Sequence, residues 1–132
     1  MNAEDDVDDT RLPRKGDYSC RDKIIVHSVE KVKINSKEFL ARIDTGATRS
    51  SVSHDIVKDL ALGPVIDRVE VRNVHGQAMR DVIELEVGIA GVTMKTKFTI
   101  SDRSSMKYPV LIGRNLLKEG FLVDCSDENW DH

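Results

Sequence analysis

Asp44, Thr45 and Gly46 follow directly on the apolar run Phe39-Leu40-Ala41-Arg42-Ile43, which places one carboxylate at the end of a strand. Gly46 lets the chain turn and bring backbone N–H groups near that carboxylate, and Thr45 offers a hydroxyl to a neighbouring backbone. The chemistry open to such a group is acid–base work on a water molecule. Two carboxylates about 3 Å apart cannot both ionise, so they share one proton. The ionised partner draws a proton from water while the neutral one serves as acid toward an amide carbonyl. Such a pair titrates as a unit. Asp-Thr-Gly occurs once in the chain, so the second carboxylate has to come from a second copy, and a twofold homodimer becomes part of the chemistry. The competing reading is an ordinary turn, since Asp and Gly populate turns for local reasons.

No other residue set suggests a different chemistry. The histidines, His27, His54, His75 and His132, are far apart and form no His-Glu-x-x-His; Cys20 and Cys125 make no ligand pair by spacing. No metal and no cofactor are expected. Met79, Met94 and Met106 read as fillers. The glycines are too dispersed for a phosphate loop, and the lysines and arginines lack aromatic interleaving, so neither nucleotide nor nucleic acid is an expected partner.

The elements that must position Asp44 are mostly strands. Residues 24–30 are β-branched and alternating, and the pattern continues through Val32 and Ile34, turns at Asn35-Ser36 and returns as Phe39–Ile43. Residues 53–60 form a short helix with Ser53 as N-cap, ended by Gly63-Pro64. A strand from Val69 to Asn73, a turn over 74–78 and a strand Met79–Val87 make a hairpin with Gly76 at its tip. Ala90-Gly91 turns the chain into Val92–Ile100. Tyr108–Ile112 is a short apolar strand, Gly113 leads into a helix over 114–119, Gly120 closes it, and Phe121–Val123 is a last strand. The whole predicts a mainly β fold, a closed barrel or sandwich with one or two short helices.

The chain has 132 residues, enough for one domain, and a net charge of -3. That charge is uneven. Residues 1–22 hold seven acids and four bases, residues 124–132 four acids and no base, and the stretch between twelve acids and sixteen bases. Residues 1–22 read as a flexible charged arm, 23–126 as the folded domain and 127–132 as an acidic tail. The acidic N-terminus has no apolar h-region and no apolar run is long enough to span a bilayer, so a cytoplasmic protein with free thiols is the expectation. The basic body, with Arg42, Arg49, Arg72, Arg80, Arg103 and Arg114, suggests acidic partners.

Two later segments connect Asp44 to a known family. The segment Tyr108-Pro109-Val110-Leu111-Ile112-Gly113-Arg114-Asn115-Leu116-Leu117, taken with Asp44-Thr45-Gly46, resembles the retropepsin family of aspartic proteases. The match is closest to a prokaryotic branch labelled ATP-dependent zinc proteases and associated with ATP-grasp ligases that modify ribosomal protein. Asp44-Thr45-Gly46-Ala47-Thr48-Arg49-Ser50-Ser51 is similar to that branch's Asp-Thr-Gly-Ala-Arg-Thr-Ser motif with two residues exchanged. Residues 98–109 resemble its Asp-Arg…Met…Tyr-Pro approach, and residues 120–124 its closing strand.

The resemblance implies a retropepsin-like barrel with a flap hairpin. It implies Asp44, Thr45 and Gly46 as catalytic residues. Ala47, Thr48, Arg49, His75, Gly76 and Gln77 would face a peptide, and Ile112, Gly113, Arg114 and Asn115 would support the loop or the dimer. The implied function is peptide-bond hydrolysis by a homodimer. The alternative is a dimer of the same shape that binds an extended peptide without cutting it. One departure stands out: viral retropepsins carry an acid two residues after the Gly to receive the helix Arg, and here that position is Thr48, which leaves Arg114 to find another partner.

Overall fold

The alternation that begins at Ile24 is realised as strands in the computed structural model, which describes residues 22–74 and 76–126. Residues 1–21, read above as part of an arm, the predicted tail 127–132, Cys20 and His75 lie outside the described residues. The elements are β1 (Ile24–His27), β2 (Val29–Ile34), β3 (Lys37–Ile43), β4 (Ser50–Ser53), α1 (His54–Asp59), β5 (Val65–Asn73), β6 (Gly76–Ile89), β7 (Val92–Ser101), β8 (Val110–Ile112), α2 (Arg114–Leu117) and β9 (Phe121–Asp124).

Six strands close into a barrel in the order β2-β3-β8-β4-β7-β6, and β6 returns to β2 through Val32↔Ile89 and Lys33↔Gly88. Residues alternate inward and outward along the strands. Val32, Ile34, Ala41, Ile43, Val52, Val87, Phe98, Val110 and Ile112 fill the interior, with Leu116 and Leu117 of α2 packed against it. Full burial of each large apolar side chain contributes about 1.5–3 kcal/mol, which is why short strands suffice here.

Two tight turns set the register. Asn35 and Ser36 both take positive φ between Ile34 and its partner Lys37, and Ala90 and Gly91 do the same between Ile89 and Val92. Two central residues at positive φ match the right-handed twist of the flanking strands. Ser53 caps α1 as the sequence predicts, its Oγ accepting the Asp55 N–H at 3.1 Å.

Several boundaries differ from the sequence reading. The first strand breaks at Ser28, whose carbonyl extends the β2–β3 ladder by accepting the Ile43 N–H at 2.9 Å; β1, before it, pairs in parallel with β9. β4 is an added strand: three serines in four residues carry little β signal, and the pairing with β7 and β8 supplies it. β5 starts at Val65 rather than Val69, and β6 starts at Gly76, inside the stretch 74–78 predicted as the turn. α2 ends at Leu117, two residues early. No helix among the described residues is long and apolar enough to cross a membrane.

The long strand β6 changes partner along its length. Val82–Ile89 pairs with β7, whereas Gly76–Asp81 pairs with β5 alone. The β5–β6 hairpin therefore stands out from the barrel, with Val74 at its end 94% exposed.

Candidate active site

Asp44 is held at the point where β3 leaves the barrel. β3 runs parallel to β8 in the register Ala41↔Val110, Arg42↔Leu111 and Ile43↔Ile112. The ladder continues one residue further: the Asp44 N–H donates to the Ile112 carbonyl at 2.9 Å. With Ile43 bonded to Ser28 on the other side, the backbone before the carboxylate has no freedom to drift. Val110–Ile112 thus lies alongside the strand that leads into the loop, with the Ile112 carbonyl on Asp44.

The turn closes on the carboxylate itself. The Gly46 N–H donates to Asp44 Oδ1 at 2.8 Å, and the Ala47 N–H to the Asp44 carbonyl at 3.3 Å. Gly46 does not take a left-handed φ. A Cβ there would sit 3.2 Å from Asp44 Oδ1, so glycine serves close approach rather than an unusual turn. Asp44 is half-buried, Thr45 and Gly46 are exposed, and neither Asp44 Oδ2 nor the Thr45 hydroxyl has a hydrogen-bond partner among the described residues.

α2 is fastened to this loop from behind. The Arg114 and Asn115 N–H groups donate to the carbonyls of Ala47 (2.8 Å) and Thr48 (3.2 Å). The Arg114 guanidinium reaches the Thr45 carbonyl at 2.9 Å and Thr48 Oγ1 at 3.0 Å. Thr48 is therefore the partner that replaces the acid, and Arg114 spans the loop with two neutral acceptors. A Cβ on Gly113 would collide with the Arg49 carbonyl oxygen and lie 2.9 Å from that of Ala47.

The sequence reading misses Ser50. This side chain is fully buried; its Oγ accepts the Gly113 N–H at 3.0 Å and donates to Asn115 Oδ1 at 2.7 Å. Asn115 Nδ2 in turn donates to the Lys97 carbonyl at 2.9 Å. The available signal is position: Val52 points inward, so Ser50 does too, and a polar group in a core position needs partners.

A groove of ≈ 440 Å³ opens beside the loop. Ala47, Thr48 and Arg49 line it together with Leu111, Ser51 and Thr99. The hairpin contributes Glu70, Val71, Arg72 and Arg80 rather than Gly76 and Gln77, which are exposed at its end and do not line the groove; the predicted contact of His75 lies outside the described residues. Arg49 and Arg80 have no carboxylate within ion-pair distance among the described residues, whereas Arg72 reaches Glu70 only at 4.0 Å. Ser51 is braced by half-buried Arg103, whose Nη1 donates to Ser51 Oγ at 3.2 Å and whose Nε donates to the Tyr108 carbonyl at 2.9 Å. Next to it, the Ser104 N–H and hydroxyl bond Asp102 and hold its carboxyl below the usual range.

No group of three His, Cys, Asp or Glu side chains among the described residues is placed to hold a metal ion. His27 bonds Glu30 and His54 starts α1, so the zinc in the branch label finds no donor set there.

Solved structures share this architecture. A Legionella pneumophila protein of unknown function aligns with a TM-score of 0.57 at 20% identity, over 77% of this chain and 93% of that one. The simian foamy virus protease aligns with a TM-score of 0.54 at 20% identity, over 68% of this chain and 91% of that one. At such identities the likeness speaks for the fold. No curated protein matches the chain. Residues 57–131, which carry the hairpin, β7, β8 and the Gly113-Arg114-Asn115 element, match the family described as RimB-like, retropepsin-like aspartic endopeptidase RimB. That stretch is more than half of the chain and begins after Asp44, so the kinship rests on the elements beyond the loop: the chain belongs to the RimB-like family of retropepsin-like proteins.

Proposed function

We propose that two copies of the chain assemble about a twofold axis, bring their Asp44 carboxylates together and hydrolyse a peptide bond held in the groove. The observation that carries this reading is the cradle around Asp44. Its Oδ1 is fixed by the Gly46 N–H, its backbone is tied to Ile112, and Oδ2 is left without a partner among the described residues. Such pre-organisation suits a carboxylate that must meet a second one. The ionised Asp44 takes a proton from water, the oxygen adds to the carbonyl carbon, and the protonated Asp44 gives its proton to the carbonyl oxygen. Collapse of this adduct returns one hydroxyl proton to the ionised carboxylate and breaks the C–N bond as the protonated carboxyl gives its proton to the departing nitrogen, which leaves the pair with its one shared proton. In this reading the β5–β6 hairpin is the flap that covers the peptide.

Because each site needs both copies, specific activity rises with protein concentration through the range in which sedimentation shows monomer becoming dimer. Activity per chain that stays constant down to fully monomeric protein sinks the shared site. Should the protein bind peptide across pH 3–8 and cut none, the non-catalytic binding reading takes its place.

Arg49 and Arg80 extend the proposal to acidic peptides. Two cations without ion-pair partners among the described residues, facing a groove, attract carboxylates at long range, and salt screens such attraction over a Debye length of about 8–10 Å. Cleavage of a glutamate-rich peptide is expected to exceed that of a neutral one at low salt, by about tenfold, and to converge on it near 1 M salt. Equal rates insensitive to salt count against electrostatic selection.

A further inference from the structure

The groove is lined by a hydroxyl whose proton has no acceptor among the described residues. Ser51 of β4 is in register with Leu111 of β8 and Thr99 of β7, so the three side chains form a row on the outer face of the barrel, where all three line the groove. The Thr99 hydroxyl donates to the Ser50 carbonyl at 3.3 Å. Ser51 does the reverse. Its oxygen accepts from Arg103, and its own proton has no acceptor among the described residues.

Arg103 is held in place by its Nε, which donates to the Tyr108 carbonyl at 2.9 Å, and this leaves Nη1 for Ser51. It is half-buried, it pairs with no carboxylate among the described residues, and burial lowers its pKa. A guanidinium nevertheless remains charged in a protein. A cation that donates to a hydroxyl oxygen strengthens that hydroxyl as a donor in turn, because chained hydrogen bonds polarise one another. With one lone pair of Ser51 engaged by Arg103, the O–H is free to rotate toward the groove that Ser51 lines. The floor of a groove that holds an extended peptide meets side chains, since the peptide main chain pairs with strand edges and alternate residues point down.

We infer that the Ser51 O–H binds a side-chain oxygen of the bound peptide, and that Arg103 is the positioning residue that orients and polarises it. The ligand chemistry is an oxygen acceptor, a carboxylate or an amide, with the cation behind Ser51 favouring the carboxylate. This rests on the groove being the peptide site and is independent of any chemistry at Asp44.

The test is peptide binding by the Asp44→Asn protein, in which cleavage cannot interfere. Labelled octapeptides carry Glu, Gln or Met, three residues of similar length, at each position in turn. At one position Glu binds about tenfold more tightly than Met, with Gln between them. Adding Ser51→Ala brings the three within about twofold of each other, and Ser51→Thr, which keeps the donor, restores the order. Arg103→Met abolishes the advantage of Glu over Gln yet keeps Gln ahead of Met, and Arg103→Lys restores it. A Glu preference that survives Ser51→Ala overturns the assignment, as does peptide binding with no positional preference. Absence of all peptide binding overturns the groove as the peptide site and this assignment with it.

Discussion

Asp44→Asn lowers peptide cleavage by about 10⁴-fold and leaves the fold in place. Asparagine is nearly isosteric with aspartate and keeps an oxygen at Oδ1, so the 2.8 Å bond from the Gly46 N–H survives. The Ile112 and Ala47 contacts use backbone only and are untouched. What is lost is the ability to take a proton from water or to return one, and a pair of amides can do neither. Thermal midpoint and dimer dissociation constant are expected to stay close to those of the unmodified protein. Cleavage at an undiminished rate by the purified variant would place the chemistry elsewhere. A variant that loses activity and stability together leaves the acid–base role without support.

Gly113→Ala costs about 3 kcal/mol of stability, the upper end of the usual range for overpacking a packed interior. Gly113 has φ -105° and ψ -171°, which alanine adopts freely, so the cost is collision and not backbone strain. The new Cβ would collide with the Arg49 carbonyl oxygen and meet its carbon at 2.7 Å. Backbone atoms cannot swing aside as a side chain does. The loop must move away from α2, which breaks the bonds from Arg114 to Ala47, from Asn115 to Thr48 and from Gly113 to Ser50. Gly91 supplies the control: it takes φ +84° with open space where a Cβ would stand, so Gly91→Ala meets backbone strain alone, about 1 kcal/mol. Denaturant unfolding of the two variants separates the mechanisms. Similar small losses in both defeat the collision account, whereas a large loss at Gly113 with a displaced loop also predicts loss of any cleavage.

The two substitutions mark different kinds of legibility. Asp44 is visible in the sequence because its neighbours carry the signal: an apolar strand before it and Thr45-Gly46 after it. The mainly β fold is visible for the same reason, as are the Asn35-Ser36 and Ala90-Gly91 turns and the Ser53 cap. In each, alternation or turn chemistry within a few residues settles the backbone. Arg114 is visible only as a question, since Thr48 offers no charge and the sequence cannot say that a hydroxyl and a carbonyl suffice.

What tertiary structure alone decides lies between residues far apart in the chain. Ser50 and Asn115 are 65 positions apart, and Arg114 and Thr45 69 apart, yet these bonds hold the loop. β4 exists because β7 and β8 flank it, against the weak strand preference of serine. The groove exists because the hairpin departs from the barrel at Val82, and that brings Arg80 over Ser51 and Arg49. The sequence determined that a carboxylate waits at the end of a strand in a barrel. Only the fold decided what holds it still and what the space beside it can bind, because hydrogen bonds and burial depend on distance in space, which local patterns do not encode.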